Sequence, residues 1–276
     1  MPTVLVTGAS RGIGRSITEY LAQRGWDVVA GVRTPDDAAA VAAADTRRIT
    51  PVILDVTDDG HIADLARSLP ARLDGIVNNA GIAVNGPMEA VTTADWRKQL
   101  EVNVIGQLAV TRAVLPKLRE STGRVVFMSS VNGRMSMPML GAYSASKYAL
   151  EAAADAMRME LRPWRIPVVI IEPAQTDTDM WRSAGEVVLE TEAAMEPHHR
   201  ALYAKHLAGM KKLIPIAQRM AVPTDEVSAV VERALTTRRP RARYVVGFGP
   251  KAQVRLMTNL PTAVRDLTLR KVTGQP

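Results

Sequence analysis

The stretch TVLVTGASRGIGRSITEYLAQRG, residues 3–25, decides the fold. A short β-branched run ends in Gly8. Gly12 and Gly14 then crowd the turn before a helical segment that Gly25 closes. An apolar run of this size bounded by glycine reads as a buried parallel strand. Glycines at a strand-to-helix turn let the backbone approach a pyrophosphate, whose charge meets the free N–H groups of the helix N-terminus. The spacing here is G-x-x-x-G-x-G, not G-x-G-x-x-G.

Working outward, WDVVAGVR (26–33) is a second strand, and its end bears on the cofactor. An acidic residue there would bind a ribose 2′-hydroxyl and repel a 2′-phosphate. This chain has Val32 and Arg33, with Arg11 in the glycine turn. Two guanidinium groups at one site favour the 2′-phosphate of NADP(H) over NAD(H) through charge-assisted hydrogen bonds. RITPVILDVTD (48–58) is a third strand, with Asp55 placed to meet an adenine edge. After a helix near 59–68, LDGIVNNAG (73–81) is a fourth strand, punctuated by Asn78, Asn79 and Gly81 where a ligand would lie over the sheet edge.

Residues 92–120 read as one long amphipathic helix with Asn103 between Val102 and Val104. A buried amide needs partners, so Asn103 is a structural bond or a relay. GRVVFMSS (123–130) and IPVVIIEP (166–173) are further strands, and RARYVVGFG (241–249) is the last. Strands alternating with helices of this length imply a parallel sheet with helices on both faces. From Thr176 to about Pro223 no strand is evident, and Met180, Trp181, Met195, Met210 and Met220 lie among charges. This segment reads as short helices forming a mobile cover, its methionines serving either pocket or core.

Chemistry concentrates in SSVNGRMSMPMLGAYSASK (129–147). Tyr143 and Lys147 are four residues apart on a predicted helix and so share one face. An ammonium about 4 Å from a phenolate, at an effective dielectric of about 20, is worth roughly 4 kcal/mol. That would lower the tyrosine pKa by about three units and make Tyr143 an acid–base group near neutrality. Ser130, at a strand end, offers a hydroxyl to polarise a carbonyl oxygen. A Y-x-x-x-K pair alone marks an ordinary helix face, so the surrounding motifs decide.

Bulk composition narrows the partners. The chain has 276 residues, no cysteine, and four histidines without metal-ligand spacing, so neither a disulfide framework nor a metal site is expected. The longest apolar runs are strand-sized and the chain starts directly at MPTVLVTG. We therefore expect a cytoplasmic, soluble protein without signal peptide or membrane span. A net charge of +7 with only 4% aromatics and one dense basic run, RRPRAR at 238–243, argues for an anionic cofactor rather than nucleic acid.

TGASRGIG, the NNAG at 78–81, Asn103, Ser130 and YSASK at 143–147 occur in order. Together they resemble the short-chain dehydrogenase/reductase family over about residues 3–250. The resemblance implies an α/β Rossmann-like doubly wound sheet of seven parallel strands and a catalytic tetrad of Asn103, Ser130, Tyr143 and Lys147. In that family Asn103 would serve a water-linked proton relay, and Lys147 would also hold the nicotinamide ribose. It further implies cofactor contacts from Gly8, Ser10, Arg11, Gly12, Ile13, Gly14, Arg33, Asp55, Val56, Asn79, Ala80, Gly81, Tyr143, Lys147, Pro173, Thr176 and Thr178. One departure is Ala174, where the family has glycine after Pro173. Alanine adopts positive φ only at a cost, so that loop is expected to run differently.

RPRARYVVGFGPK followed by Leu260-Pro261 and Arg265-Asp266 resembles the branch of 17β-hydroxysteroid and retinol dehydrogenases. That branch implies apolar alcohols or ketones. The expected organisation is a single domain over 1–276: a core at 3–175, a substrate cover at 176–222 and an extension at 250–276. A homo-dimer or tetramer would pair the helices at 92–120 and 142–162. Competing readings are a reductase of 3-oxoacyl thioesters and a nucleotide-sensing protein without chemistry.

Overall fold

The computed structural model describes residues 1–274. Seven strands, β1 (Thr3–Thr7), β2 (Asp27–Val32), β3 (Ile49–Ile53), β4 (Gly75–Asn78), β5 (Arg124–Met128), β6 (Val168–Glu172) and β7 (Arg243–Val245), form one sheet. Their order is β3-β2-β1-β4-β5-β6-β7, and every neighbouring pair is parallel. The order reverses between β1 and β4. The crevice beyond the carboxyl ends of those strands is where such sheets bind ligands.

Because strand side chains alternate, strands β1 to β6 feed two cores. On one face Val4, Val6, Val28, Val126 and Ile171 pack with Ile17 and Leu21 of α1 (Gly12–Gln23) and with Val227 and Val231 of a later helix. On the other, Leu5, Ile76, Phe127 and Ile170 meet α5 and α6 through Val114, Leu118 and Leu150 (α5, Gln107–Ser121; α6, Gly141–Glu160). Burial on both faces is why the strands read as unbroken apolar runs. Pro51 lies inside β3, which its place at the sheet edge permits.

Three local readings need correction. Thr34, whose hydroxyl accepts from the Asp37 N–H, caps an unanticipated helix, α2 (Pro35–Ala42). Its sequence, PDDAAAVA, carries no apolar stripe, so only the cap signal marked it. After α3 (Asp59–Ser68), the helix expected over 92–120 is interrupted. Helix α4 (Thr93–Leu100) passes into a π turn at Glu101–Gly106 before α5. Gly106 packs there against the Val56 carbonyl, where any Cβ would collide. The last strand is also shorter than read, because Phe248 already begins α12 (Phe248–Met257).

Between β6 and β7 lie α7 (Asp179–Arg182), α8 (Ala184–Ala194), α9 (Pro197–Leu202), α10 (Ala204–Arg219) and α11 (Thr224–Thr236). Val188, Met195, Leu207 and Ile214 form a third small core that reaches Met139, just ahead of α6. Met195 and Met210 therefore serve packing, whereas Met180 and Met220 are exposed. Helix α13 (Thr262–Val272) closes the described chain, and the Thr273 and Gly274 carbonyls abut Gly209 of α10. The last two residues of the expected extension, 275 and 276, lie outside the described residues. Among the described residues no helix is long and apolar enough to cross a membrane.

Candidate active site

At the carboxyl end of β1, Gly8 and Gly12 adopt φ of +64° and +56°, a region that favours glycine. A Cβ on Gly8 would lie 2.9 Å from the Ala80 Cα, and one on Gly14 would collide with the Gly8 carbonyl. Arg11 occupies the N-cap of α1 without a side-chain cap bond, so the leading N–H groups of the helix stay open to an anion. Ser10 and Ile13 are partly buried beside them. The Thr7 hydroxyl accepts from the N–H groups of Asn79 and Ala80, both at 3.0 Å. The Asn79 amide donates to the carbonyls of Thr7 and Gly8 at 3.0 and 3.2 Å. Asn79 thus fastens the glycine turn to the end of β4.

Arg11 and Arg33 are exposed, and neither makes a hydrogen bond or ion pair within the described residues. Val32 does not face them. It is 1% exposed in the core, so an acidic residue there would be buried rather than offered to a ribose. Asp55 accepts from the Thr57 N–H and hydroxyl at 2.9 and 2.8 Å. Burial raises its pKa, but the Thr57 bonds and the Arg33 charge outweigh that and hold it below the ordinary value. Val56 is buried beside it.

Ser130, at the end of β5, caps a 3₁₀ turn at Val131–Gly133 by accepting from the Asn132 N–H. Tyr143 and Lys147 lie in the first two turns of α6. The Lys147 ammonium donates to the Met128 carbonyl at 2.8 Å and lies 5.8 Å from the centre of the Tyr143 ring. The expected lowering of the tyrosine pKa is therefore not found. Desolvation raises it above the ordinary value, opposed by hydrogen bonding with Ser130. Burial pushes Lys147 down to about 8, with the Glu151 charge opposing.

Asn103 is fully buried in the π turn. Its amide donates to the Ile82 carbonyl at 2.9 Å and to the Ser146 hydroxyl at 3.1 Å, and accepts from the Ile82 N–H at 2.8 Å. Both amide protons are spent on structure. Gly81 packs against this amide, as a Cβ there would sit 3.4 Å from the Asn103 Oδ1. Beyond β6, the Pro173 carbonyl accepts from the Val131 N–H at 3.0 Å, tying the loop to the Ser130 turn. Thr176 and Thr178 are buried, and a Cβ on Gly12 would stand 3.5 Å from Thr178. The glycine turn and this loop thus stand side by side. Ala174 is not among the positive-φ residues, so it carries none of the expected strain.

A model of the short chain dehydrogenase family matches residues 2–188. The chain belongs to that family. It is 32% identical to retinol dehydrogenase 5 of Mus musculus over 99% of this chain and 89% of that protein. It is also 32% identical to an NADPH-dependent 3-dehydrocapnine reductase of Ornithobacterium rhinotracheale, over 89% of this chain and 88% of that one. A short chain dehydrogenase of Burkholderia cenocepacia in complex with NADP superposes with a TM-score of 0.74 at 26% identity, covering 100% of this chain and 98% of that one. This short-chain dehydrogenase/reductase stands in the retinol and steroid dehydrogenase-like branch. It is an oxidoreductase enzyme of a family that acts on alcohols with a nicotinamide cofactor.

The chain's own residues suit such a cofactor, because the glycine cradle, the uncapped α1 N-terminus and the two unpaired arginines follow the carboxyl ends of the adjacent strands β1 and β2. Sequence reading missed several polar residues of this short-chain dehydrogenase/reductase. Gln99 accepts from the Val84 N–H at 2.7 Å and donates to the Ile82 carbonyl at 3.0 Å, holding the strand-end loop with Asn103. Gln107 donates to the Ala80 carbonyl at 2.7 Å. A buried glutamine every turn or two along an apolar helix was the available signal. Met88, exposed yet packed over Gly141, had no signal at all.

Proposed function

We propose that this enzyme interconverts a secondary alcohol and a ketone or aldehyde by NADP(H)-dependent hydride transfer, acting on apolar, steroid-, retinoid- or lipid-like molecules. The observation that carries this reading is the convergence of Ser130, Tyr143 and Lys147 at the carboxyl end of β5, the strand beside β4. When bound, the nicotinamide cofactor supplies or accepts the hydride. Gly8, Ser10, Gly12, Ile13 and Gly14 would cradle its pyrophosphate, with Arg11 and Arg33 on the 2′-phosphate. Asp55 and Val56 would meet the adenine, and Asn79, Ala80 and Gly81 would line its path. Pro173, Thr176 and Thr178 would flank the nicotinamide.

Ser130 orients the substrate oxygen and Tyr143 exchanges its proton. With its pKa above the ordinary value, Tyr143 is protonated at neutral pH and is set to donate, which suits carbonyl reduction. Lys147 supplies positive charge beside Tyr143 and the ribose. Because the Asn103 amide is committed, a water-linked relay through that residue would run by its backbone carbonyl. Residues 3–175 would form the catalytic core of one domain, residues 176–222 would cover the substrate, and the described residues from 250 to 274 would extend it. Met139 packs with that cover and Met88 stands exposed over Gly141, and both would suit an apolar ligand. The enzyme acts in the cytoplasm as a homo-oligomer.

The test is a panel of apolar ketones, aldehydes and alcohols with NADPH or NADP, followed by cofactor absorbance. Turnover confined to acyl thioesters would favour the 3-oxoacyl reductase reading instead.

A further inference from the structure

Behind Tyr143 and Lys147 lies a second, buried layer of charge. Glu151 follows Lys147 by one turn of α6 and is 4% exposed. The Ser129 hydroxyl donates to its Oε1 at 2.8 Å, and the Arg243 Nε donates to its Oε2 at 3.1 Å. Gly133 makes room for this carboxylate, since a Cβ there would lie 2.5 Å from Oε1 and 2.6 Å from the Ser129 Oγ. Four elements thus converge on one acid: β5 through Ser129, the 3₁₀ turn through Gly133, α6 itself, and β7 through Arg243.

The charges facing Glu151 come from every side. Lys147 and Asp155 share its helix, and Arg243 reaches Asp155 at 2.6 Å from β7. Glu172, fully buried at the end of β6, faces Arg243 at 3.3 Å and Arg134 at 3.5 Å. Arg158, one turn further along α6, also pairs with Asp155 at 2.9 Å, so three carboxylates stand among four cations: Lys147, Arg134, Arg158 and Arg243. Lys147 itself has a carbonyl for its hydrogen-bond partner, which bears no formal charge to offset its desolvation. Glu151 is the anion whose field opposes the loss of its proton.

We propose that Glu151 is a positioning residue for Lys147, its carboxylate, fixed by Ser129 and Arg243, keeping the lysine protonated beside Tyr143. The inference rests on the role given to Tyr143 and Lys147 above. Burial alone drives Lys147 toward the neutral amine, and a neutral amine gives Tyr143 and a ribose no charge. The glutamate extends the pH range over which the site works without touching substrate or cofactor.

The test is Glu151→Gln, which keeps the shape and an acceptor for Ser129 while deleting the charge. The alkaline limb of kcat/KM for NADPH-dependent carbonyl reduction should move down by about half a unit or more, the size of one lost neighbouring charge. The pH dependence of NADPH binding, read by fluorescence without turnover, should shift the same way. Glu151→Asp, which retains the charge, should restore much of the limb. Limbs coincident with wild type in both readouts overturn the proposal. If Glu151→Gln does not fold, Ser129→Ala, which only loosens the carboxylate, should give a smaller shift in the same direction, and no shift overturns the proposal. Lys147→Met separates the two levels. If it leaves turnover intact, the underlying catalytic reading fails. If it is inactive while Glu151→Gln has the wild-type limb, only the role of Glu151 fails.

Discussion

The Lys147 ammonium sits 5.8 Å from the centre of the Tyr143 ring and donates to the Met128 carbonyl. The lysine is therefore held by the end of β5, and its charge acts on Tyr143 through space. Burial brings Lys147 to about 8 while Tyr143 lies above its ordinary range, so the lysine is the first of the two to lose its proton as pH rises. Carbonyl reduction should show kcat/KM level below about pH 8 and falling above it, the limb reporting the ammonium. A profile flat to about pH 10, the ordinary tyrosine range, would contradict this assignment.

Arg11 and Arg33 predict the cofactor preference. A charge-assisted contact is worth about 1.5 to 3 kcal/mol when desolvated, so two exposed ones should favour NADPH over NADH at least about tenfold. Arg33→Ala should cut that ratio, and Arg33→Asp should reverse it by repelling the 2′-phosphate. Substitution at Val32 is uninformative, because its side chain lies in the core. Equal kcat/KM for both cofactors in the natural protein would show that these arginines bind nothing.

Glu172 predicts how stability varies with pH. Burial first, then the Glu151 charge, raises its pKa from 4.5 to about 7, against the pull of Arg134 and Arg243. The folded state thus holds this proton more tightly than the unfolded chain does. Its contribution is intact below pH 4.5 and is lost as pH rises to about 7. The full loss is of order 3 kcal/mol, since each unit is worth about 1.4 kcal/mol. Glu172→Gln, which cannot ionise, should gain stability relative to the natural protein between about pH 5 and 8, as followed by denaturant unfolding. Parallel stability curves for the two would show that Glu172 does not titrate in that window.

The sheet was legible because parallel strands buried on both faces leave unbroken apolar runs, as in VLV at 4–6 and VVII at 168–171. The positions of Ser130, Tyr143 and Lys147 were legible because a strand end and a helical i, i+4 spacing fix them. The field at Tyr143 was not. Side-chain spacing says nothing of a carbonyl such as that of Met128, contributed by another element, nor of how dry the site is. The π turn was hidden for a similar reason, since it depends on Gly106 meeting the Val56 carbonyl from a distant loop. Arg243, Glu172 and Glu151 lie far apart in sequence, and only the sheet order β5-β6-β7 brings them together.

Ile105, Tyr148 and Met159 are large apolar side chains left exposed on the π turn and on α6. Covered by a second copy of the chain, these helices would form a two-fold interface. Light scattering at micromolar concentration should give the mass of a dimer or tetramer, and Ile105→Glu should lower it. A monomeric mass for the natural protein would remove this assembly.

The most direct measurement compares NADPH-dependent reduction of an apolar ketone by the natural enzyme and by Tyr143→Phe, with NADPH affinity measured in parallel. The substitution removes only the hydroxyl that would donate the proton. Turnover should fall by at least the roughly 10²- to 10⁴-fold typical of one acid–base group, while NADPH binds nearly as before. A Tyr143→Phe enzyme that keeps more than about a tenth of the natural kcat, far above that range, would contradict the assignment of Tyr143 as the proton donor.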